Sequence, residues 1–222
     1  VNDLEGLLMR PHLVALAAVP LTAALLAPAP AYAAATPLAD AIAALTVAEE
    51  SRTGYDRSLF PHWVDADRNG CHTRAEVLIE EAEIAPEVGD RCRLTGGEWF
   101  SYYDGRTLTE AGSLDIDHMV PLAEAWDSGA SEWSTNRRRD FANDLDEPVA
   151  LVAVSAASNR SKADRDPAEW LPPAEEVHCR YVTEWTTVKT RWSLSVDEAE
   201  LEALNTVADT CPDAVVETTP AL

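Results

Sequence analysis

Four cysteines, Cys71, Cys92, Cys179 and Cys211, constrain the fold of this chain more than any other feature. All lie after an apolar N-terminal stretch, and their number is even. In an exported chain such a set reads as two disulfides. Three pairings are formally open. Cys71–Cys92 and Cys179–Cys211 each bracket one local unit, so this pairing is favoured. Each closed loop stabilises by about 3–4 kcal/mol in the chain-entropy description. Zinc is the competing use of cysteine. No C-x-x-C spacing occurs, and His72 and His178 merely adjoin cysteines, so zinc is disfavoured.

The export reading rests on the first 33 residues. Met9-Arg10 is followed by an apolar run from Leu13 to Leu26 and by Ala31-Tyr32-Ala33. A basic start, a short apolar core and an Ala-x-Ala end form a secretory signal peptide, here residues 1–33, with 1–8 an over-called start. The run is shorter than the ~20 residues a bilayer requires, and Pro20 interrupts it. Residues 34–222 are therefore expected as one secreted, monomeric domain free of the membrane, long enough for a real core. The 39 acidic and 17 basic residues give a formal charge of −22. Such a surface keeps a secreted chain soluble and opposes non-specific wrapping of nucleic acid, which depends on Lys and Arg at phosphates. Any polyanion site must be a local basic patch.

Periodicity predicts helices over 36–50, 73–84, 122–130, 136–145 and 175–192, and a last helix opened by a Ser195/Glu198 capping box. Asp104-Gly105 sits inside an aromatic hairpin over 96–109. Extended segments are expected at 114–121 and 151–154, and a frayed tail after Cys211. The fold class is a mostly helical α+β domain around a small antiparallel element.

The stretch "LDIDHMVPLAEAW", 114–126, places Asp115, Asp117 and His118 within four residues, where a purely structural strand would use Val, Ile or Thr. His118 suits proton abstraction near neutral pH, and Asp117 suits a hard cation. Neighbours on a strand face opposite ways, so a shared site requires a bend or a strand end, and Pro121 fits an end. Asn143-Asp144-Leu145, an apolar strand and Asn159-Arg160-Ser161-Lys162 follow in order.

On these residues, "DIDHMVPLAEAWDSGA", "FANDL" and "NRSKADRDPAEWLPP", the chain resembles HNH endonucleases of the His-Me finger superfamily. It is most like exported HNH endonuclease family proteins and similar to the nuclease domain of GmrSD-type restriction systems. The likeness runs from about Tyr55 to Trp192. It implies a ββα-metal core at about 96–170, backed by a helical pair at 175–210. It also implies a general base at His118, a loop-holding amide at Asn143, and a divalent ion, Mg²⁺ or Mn²⁺, on Asp117 and Asn159. Many members carry His where Asn159 stands, and an amide oxygen favours those ions over Zn²⁺. Lys162 falls one turn after Asn159 and is expected to contact phosphate. Asp115 is expected to be structural. Arg137, Arg138, Arg139 and Arg160 are the candidate contacts to a nucleic-acid backbone, DNA or also RNA, with little base readout.

A second metal pattern stands apart. "DADRNGCHTRAE", 65–76, fits the calcium-loop spacing D-x-[DN]-x-[DN]-G-x₅-E. Asp65, Asp67, Asn69, the Cys71 carbonyl and Glu76 would ligate Ca²⁺. His72 replaces the usual apolar residue at the eighth position, and Pro61 interrupts an entering helix. The alternatives are a loop that only frames a disulfide, or pairing of Asp65 and Asp67 with Arg74. The competing function is a catalytically inactive, calcium-stabilised extracellular binding module.

Overall fold

The structure, a computed structural model, describes residues 35–221. The leader and its cleavage point at Ala31–Ala33 lie outside the described residues. In chain order the elements are β1 (Thr36–Pro37), α1 (Leu38–Ala43), α2 (Thr73–Glu80), β2 (Glu87–Val88) and β3 (Leu94–Thr95). Then come β4 (Trp99–Ser101), β5 (Arg106–Leu108), β6 (Leu114–His118), α3 (Leu122–Asp127) and α4 (Thr135–Ala142). The last are β7 (Leu151–Ser155), α5 (Ala156–Lys162), α6 (His178–Trp192), α7 (Glu198–Ala208) and β8 (Val215–Val216). Among the described residues the sheets are all antiparallel pairs: β1–β8, β2–β3, β4–β5 and β6–β7.

The β6–β7 ribbon decides where the chemistry sits. Its register pairs Leu114 with Ser155, Ile116 with Ala153, Asp117 with Val152 and His118 with Leu151. Cross-strand partners share a face. Leu114, Ile116, Leu151 and Ala153 face a smaller core with Val77 and Leu78 of α2 and with Trp99 and Leu108. Val152 and Val154 face the main core with Tyr181, Val182 and Trp185 of α6. The ribbon is therefore buried on both sides, which is why β7 reads as a continuous apolar run. It is also why Asp117, opposite Val152, is taken into the interior.

Ser155 ends β7 and starts α5, its hydroxyl accepting from the Ser158 amide at 3.2 Å. Ser158 and Lys162, one turn apart, form the buried side of that helix. On α6, Tyr181, Trp185, Val188 and Trp192 make the expected apolar stripe. Both disulfides join the expected partners, Cys71–Cys92 and Cys179–Cys211. No helix among the described residues is long and apolar enough to cross a membrane.

Three expectations are corrected. The first helix is only Leu38–Ala43, because Thr36 and Pro37 pair with β8 and Val47 bridges Val196 instead. The last helix is capped by Asp197, whose carboxylate accepts from the Glu200 amide at 2.7 Å. Ser195 instead donates to the Ser128 carbonyl. The tail after Cys211 is held, not frayed: β8 pairs with β1, and Arg191 donates to the Thr219 carbonyl at 2.7 Å.

Candidate active site

His118 closes β6, so it and Asp117 reach one cleft from the strand end. The cleft has a volume of about 340 Å³ and is bordered also by Arg57, Pro121, Leu122, Asn159, Arg160 and Asp164. The Nε2 of His118 lies 3.0 Å from the carbonyl oxygen of Ala142. A carbonyl can only accept, so Nε2 carries the hydrogen and Nδ1 is left as the basic nitrogen. The imidazole is buried, and burial pushes its pKa down to about 3, with Arg57, His62 and Lys162 adding to the fall. The ring is neutral at physiological pH.

Asn143 uses its whole amide. Nδ2 donates to the carbonyls of Pro61 at 2.8 Å and Arg139 at 2.7 Å. Oδ1 accepts from the Val64 amide at 3.1 Å and the Thr73 hydroxyl at 2.7 Å. It thereby ties the 61–64 segment to the end of α4, next to the carbonyl that orients His118.

Asp117 is held on one oxygen. Its Oδ2 accepts from Lys162 Nζ at 2.5 Å and from the Tyr103 hydroxyl at 2.6 Å. Lys162 also donates to the carbonyls of His118 at 3.1 Å and Met119 at 2.7 Å, which occupies all three ammonium hydrogens. Burial pushes the Asp117 carboxyl up and the Lys162 ammonium down, and the pair offsets both. Phosphate contact by Lys162 is thus corrected. The side chain is fully buried, with Tyr103, Tyr181 and Trp185 around its ammonium.

Asn159 is half-buried at the cleft, its Nδ2 3.4 Å from Asp115 Oδ2. Asn159 and Asp117 line the same cleft. One carboxylate and one amide oxygen form a hard donor set, which fits a cation that keeps most of its water. The densest carboxylate groups among the described residues lie elsewhere, at Glu50, Glu124 and Glu200 and at Glu50, Asp166 and Asp197. Lys189 fills the first group, 2.7 Å from Glu124 and 3.0 Å from Glu200.

The arginine run does not gather at this cleft. Arg138 is buried and donates to the carbonyls of Leu59, Ala130 and Trp133. Arg137 stacks over Trp133 and Trp192 at 4.9 and 5.3 Å. Arg139 pairs with Asp140 at 2.8 Å and borders a different cavity. Backbone-phosphate contact by Arg138 is corrected to a packing role, because folding surrounds its guanidinium with carbonyls. The exposed cations at the cleft are Arg160, 3.4 Å from Asp115, and Arg57. Sequence reasoning missed Arg57. The only local signal is Asp56, whose carboxylate accepts from the Ser58 amide and fixes the short turn that carries it.

The 65–76 loop is folded on itself. Asp65 accepts from the Gly70 amide at 3.1 Å, and Asn69 reaches Asp67 at 2.8 Å and Glu76 at 3.3 Å. Thr73 closes its base, its amide donating to the Val64 carbonyl at 2.9 Å. Arg74 donates to the carbonyls of Ala111 and Leu114, which removes its pairing with Asp65 and Asp67.

Comparison with known proteins adds three findings. The family described as "GmrSD restriction endonucleases, C-terminal domain" matches residues 76–207. A protein of Arthroderma benhamiae described as an "uncharacterized secreted protein" is 43% identical over 171 residues, covering 77% of this chain and 82% of the relative. No solved structure matches.

Proposed function

Since the chain belongs to the family of C-terminal domains of GmrSD restriction endonucleases, we propose that it is a secreted, metal-dependent endonuclease. It hydrolyses phosphodiester bonds of DNA with little sequence preference. Its working unit is a ββα-metal finger of β6, β7 and α5 inside a nuclease domain spanning 34–222. The observation that carries this reading is His118, its Nε2 3.0 Å from the Ala142 carbonyl, on the same cleft as Asp117 and Asn159.

The chemistry follows from the side chains. Nδ1 of His118 takes a proton from the attacking water as the water oxygen bonds to phosphorus and the bridging P–O bond breaks. A hard cation on Asp117 and Asn159, of the Mg²⁺ or Mn²⁺ kind, would stabilise negative charge on the phosphoryl oxygens. Arg57 and Arg160 hold the diester by charge, which reads backbone and not sequence. Tyr103 and Lys162 orient Asp117. Asn143 orients the segments on either side of His118.

Plasmid cleavage by residues 34–222 tests the reading, with EDTA and then Mg²⁺, Mn²⁺ or Ca²⁺ restored. Wild type is expected to nick with metal. His118→Ala is expected to lose about 10²–10⁴-fold in rate, the usual worth of a positioned base. Undiminished cleavage by that variant sinks the mechanism. A wild type that cuts neither DNA nor RNA with any metal favours the inactive binding module, for which the 65–76 loop is the main support.

A further inference from the structure

Trp63 is not part of the motif, yet it touches its central residue. Its indole stacks on the His118 imidazole, with ring centroids 5.4 Å apart and planes inclined by 29°. Its backbone has φ 59°. That region is a genuine outlier for a bulky aromatic residue, and such strain persists only where neighbours over-determine it. Here they do. Asn143 bonds the carbonyl of Pro61 and the amide of Val64, the residues bracketing His62-Trp63. The Thr73 amide adds a bond to the Val64 carbonyl. His62, 2.8 Å from the Phe60 carbonyl through Nδ1, packs edge-on against both Trp63 and His118.

A single hydrogen bond fixes one atom of an imidazole and leaves the ring free to turn about that contact. A flat ring laid against its face removes the turn. The bond to Ala142 supplies the first restraint and Trp63 supplies the second. Asn143 anchors both, since it follows Ala142 in sequence and brackets Trp63 in space.

We infer that Trp63 is a positioning residue of the reaction, held in a strained turn by Asn143 so that its indole fixes the plane of His118 and aims Nδ1 into the cleft. This rests on the nuclease reading of the same site. It also explains why a strained aromatic is tolerated at this position: relaxing the turn would swing the indole off the catalytic ring.

Three variants test it on the whole described domain. Trp63→Ala is expected to lower kcat about 10–100-fold with KM within about twofold, as for a small misplacement of a reacting group. Trp63→Phe, which keeps a flat ring, is expected to restore most of that loss. Trp63→Gly adopts positive φ freely, so it should melt above Trp63→Ala yet remain as slow. A Trp63→Ala rate within about threefold of wild type overturns the inference, because a 1 Å misplacement costs on the order of 10²-fold. So does Trp63→Gly regaining activity along with stability. Nitrogen-15 and NOE spectra of His118 read the clamp without turnover. One tautomer and one ring orientation are expected in wild type, with averaged orientations in Trp63→Ala. If wild type cleaves nothing, the nuclease reading fails and the spectra alone decide the clamp. Identical spectra in both proteins refute it.

Discussion

Replacing Lys162 by Met asks how much the fold depends on one buried ion pair. The ammonium is fully buried and spends its three hydrogens on Asp117, His118 and Met119. A methionine keeps about the same length and its contacts with Tyr103, Tyr181 and Trp185, but it removes the charge and all three donors. Asp117, 4% exposed, is then left with the Tyr103 hydroxyl. Two strand-end carbonyls lose a partner as well. Stranding one member of a buried pair in this way costs about 3–5 kcal/mol. Each kcal/mol moves the melting midpoint of a domain this size by about 2–4 °C. Lys162→Met is therefore expected to melt about 6–20 °C below wild type at pH 7, followed by tryptophan fluorescence. Adding Asp117→Asn removes the stranded charge. The double variant is expected to recover about 1–3 kcal/mol, the coupling typical of residues in direct contact. Two results would refute the reasoning: Lys162→Met within about 1 kcal/mol of wild type, or a double variant whose loss is the plain sum of the singles.

Two further outcomes follow from groups outside the cleft. Burial pushes the Glu81 carboxyl from 4.5 up to about 7, while its Oε2 accepts from the Ala153 amide at 2.8 Å. Between those values the folded chain keeps a proton that the unfolded chain has released, so stability falls as pH rises through that window. Glu81→Gln cannot ionise and keeps an acceptor. It is expected to melt with wild type near pH 4 and above it at pH 8, by up to about 3 kcal/mol, and an equal midpoint at pH 8 would remove the argument. For the 65–76 loop, calcium at about a hundred times its dissociation constant should stabilise by about 2.7 kcal/mol. Glu76→Gln should lose most of that increment. A wild-type midpoint indifferent to calcium would mean that the loop only frames the Cys71–Cys92 bridge.

The sequence carried some of this site and not the rest, and the division follows sequence distance. The strand end marked by Pro121 and the apolar run of β7 are local signals, and His118, Asp117 and Asn159 do line one cleft. The α6 stripe and both disulfides are legible for the same reason. A charged side chain, by contrast, shows its sign in the sequence but not its neighbours. Arg138 looks like a phosphate contact until folding turns its guanidinium onto the carbonyls of Leu59, Ala130 and Trp133. Lys162 looks the same until the register buries Asp117 and calls for a cation inside. In a chain of charge −22 an interior carboxylate has few cations to draw on, so the motif lysine is committed to the fold, and the exposed cations left at the cleft are Arg57 and Arg160. Arg57 comes from a turn that no local pattern ties to His118. Asn143 links the two regimes. The motif identifies the residue, but its four bonds reach Pro61, Val64, Thr73 and Arg139, and only three dimensions reveal that they bracket the indole lying on the His118 ring. Substituting Asn143 should thus disturb both restraints on His118 at once, whereas substituting Trp63 releases one and leaves the tautomer in place.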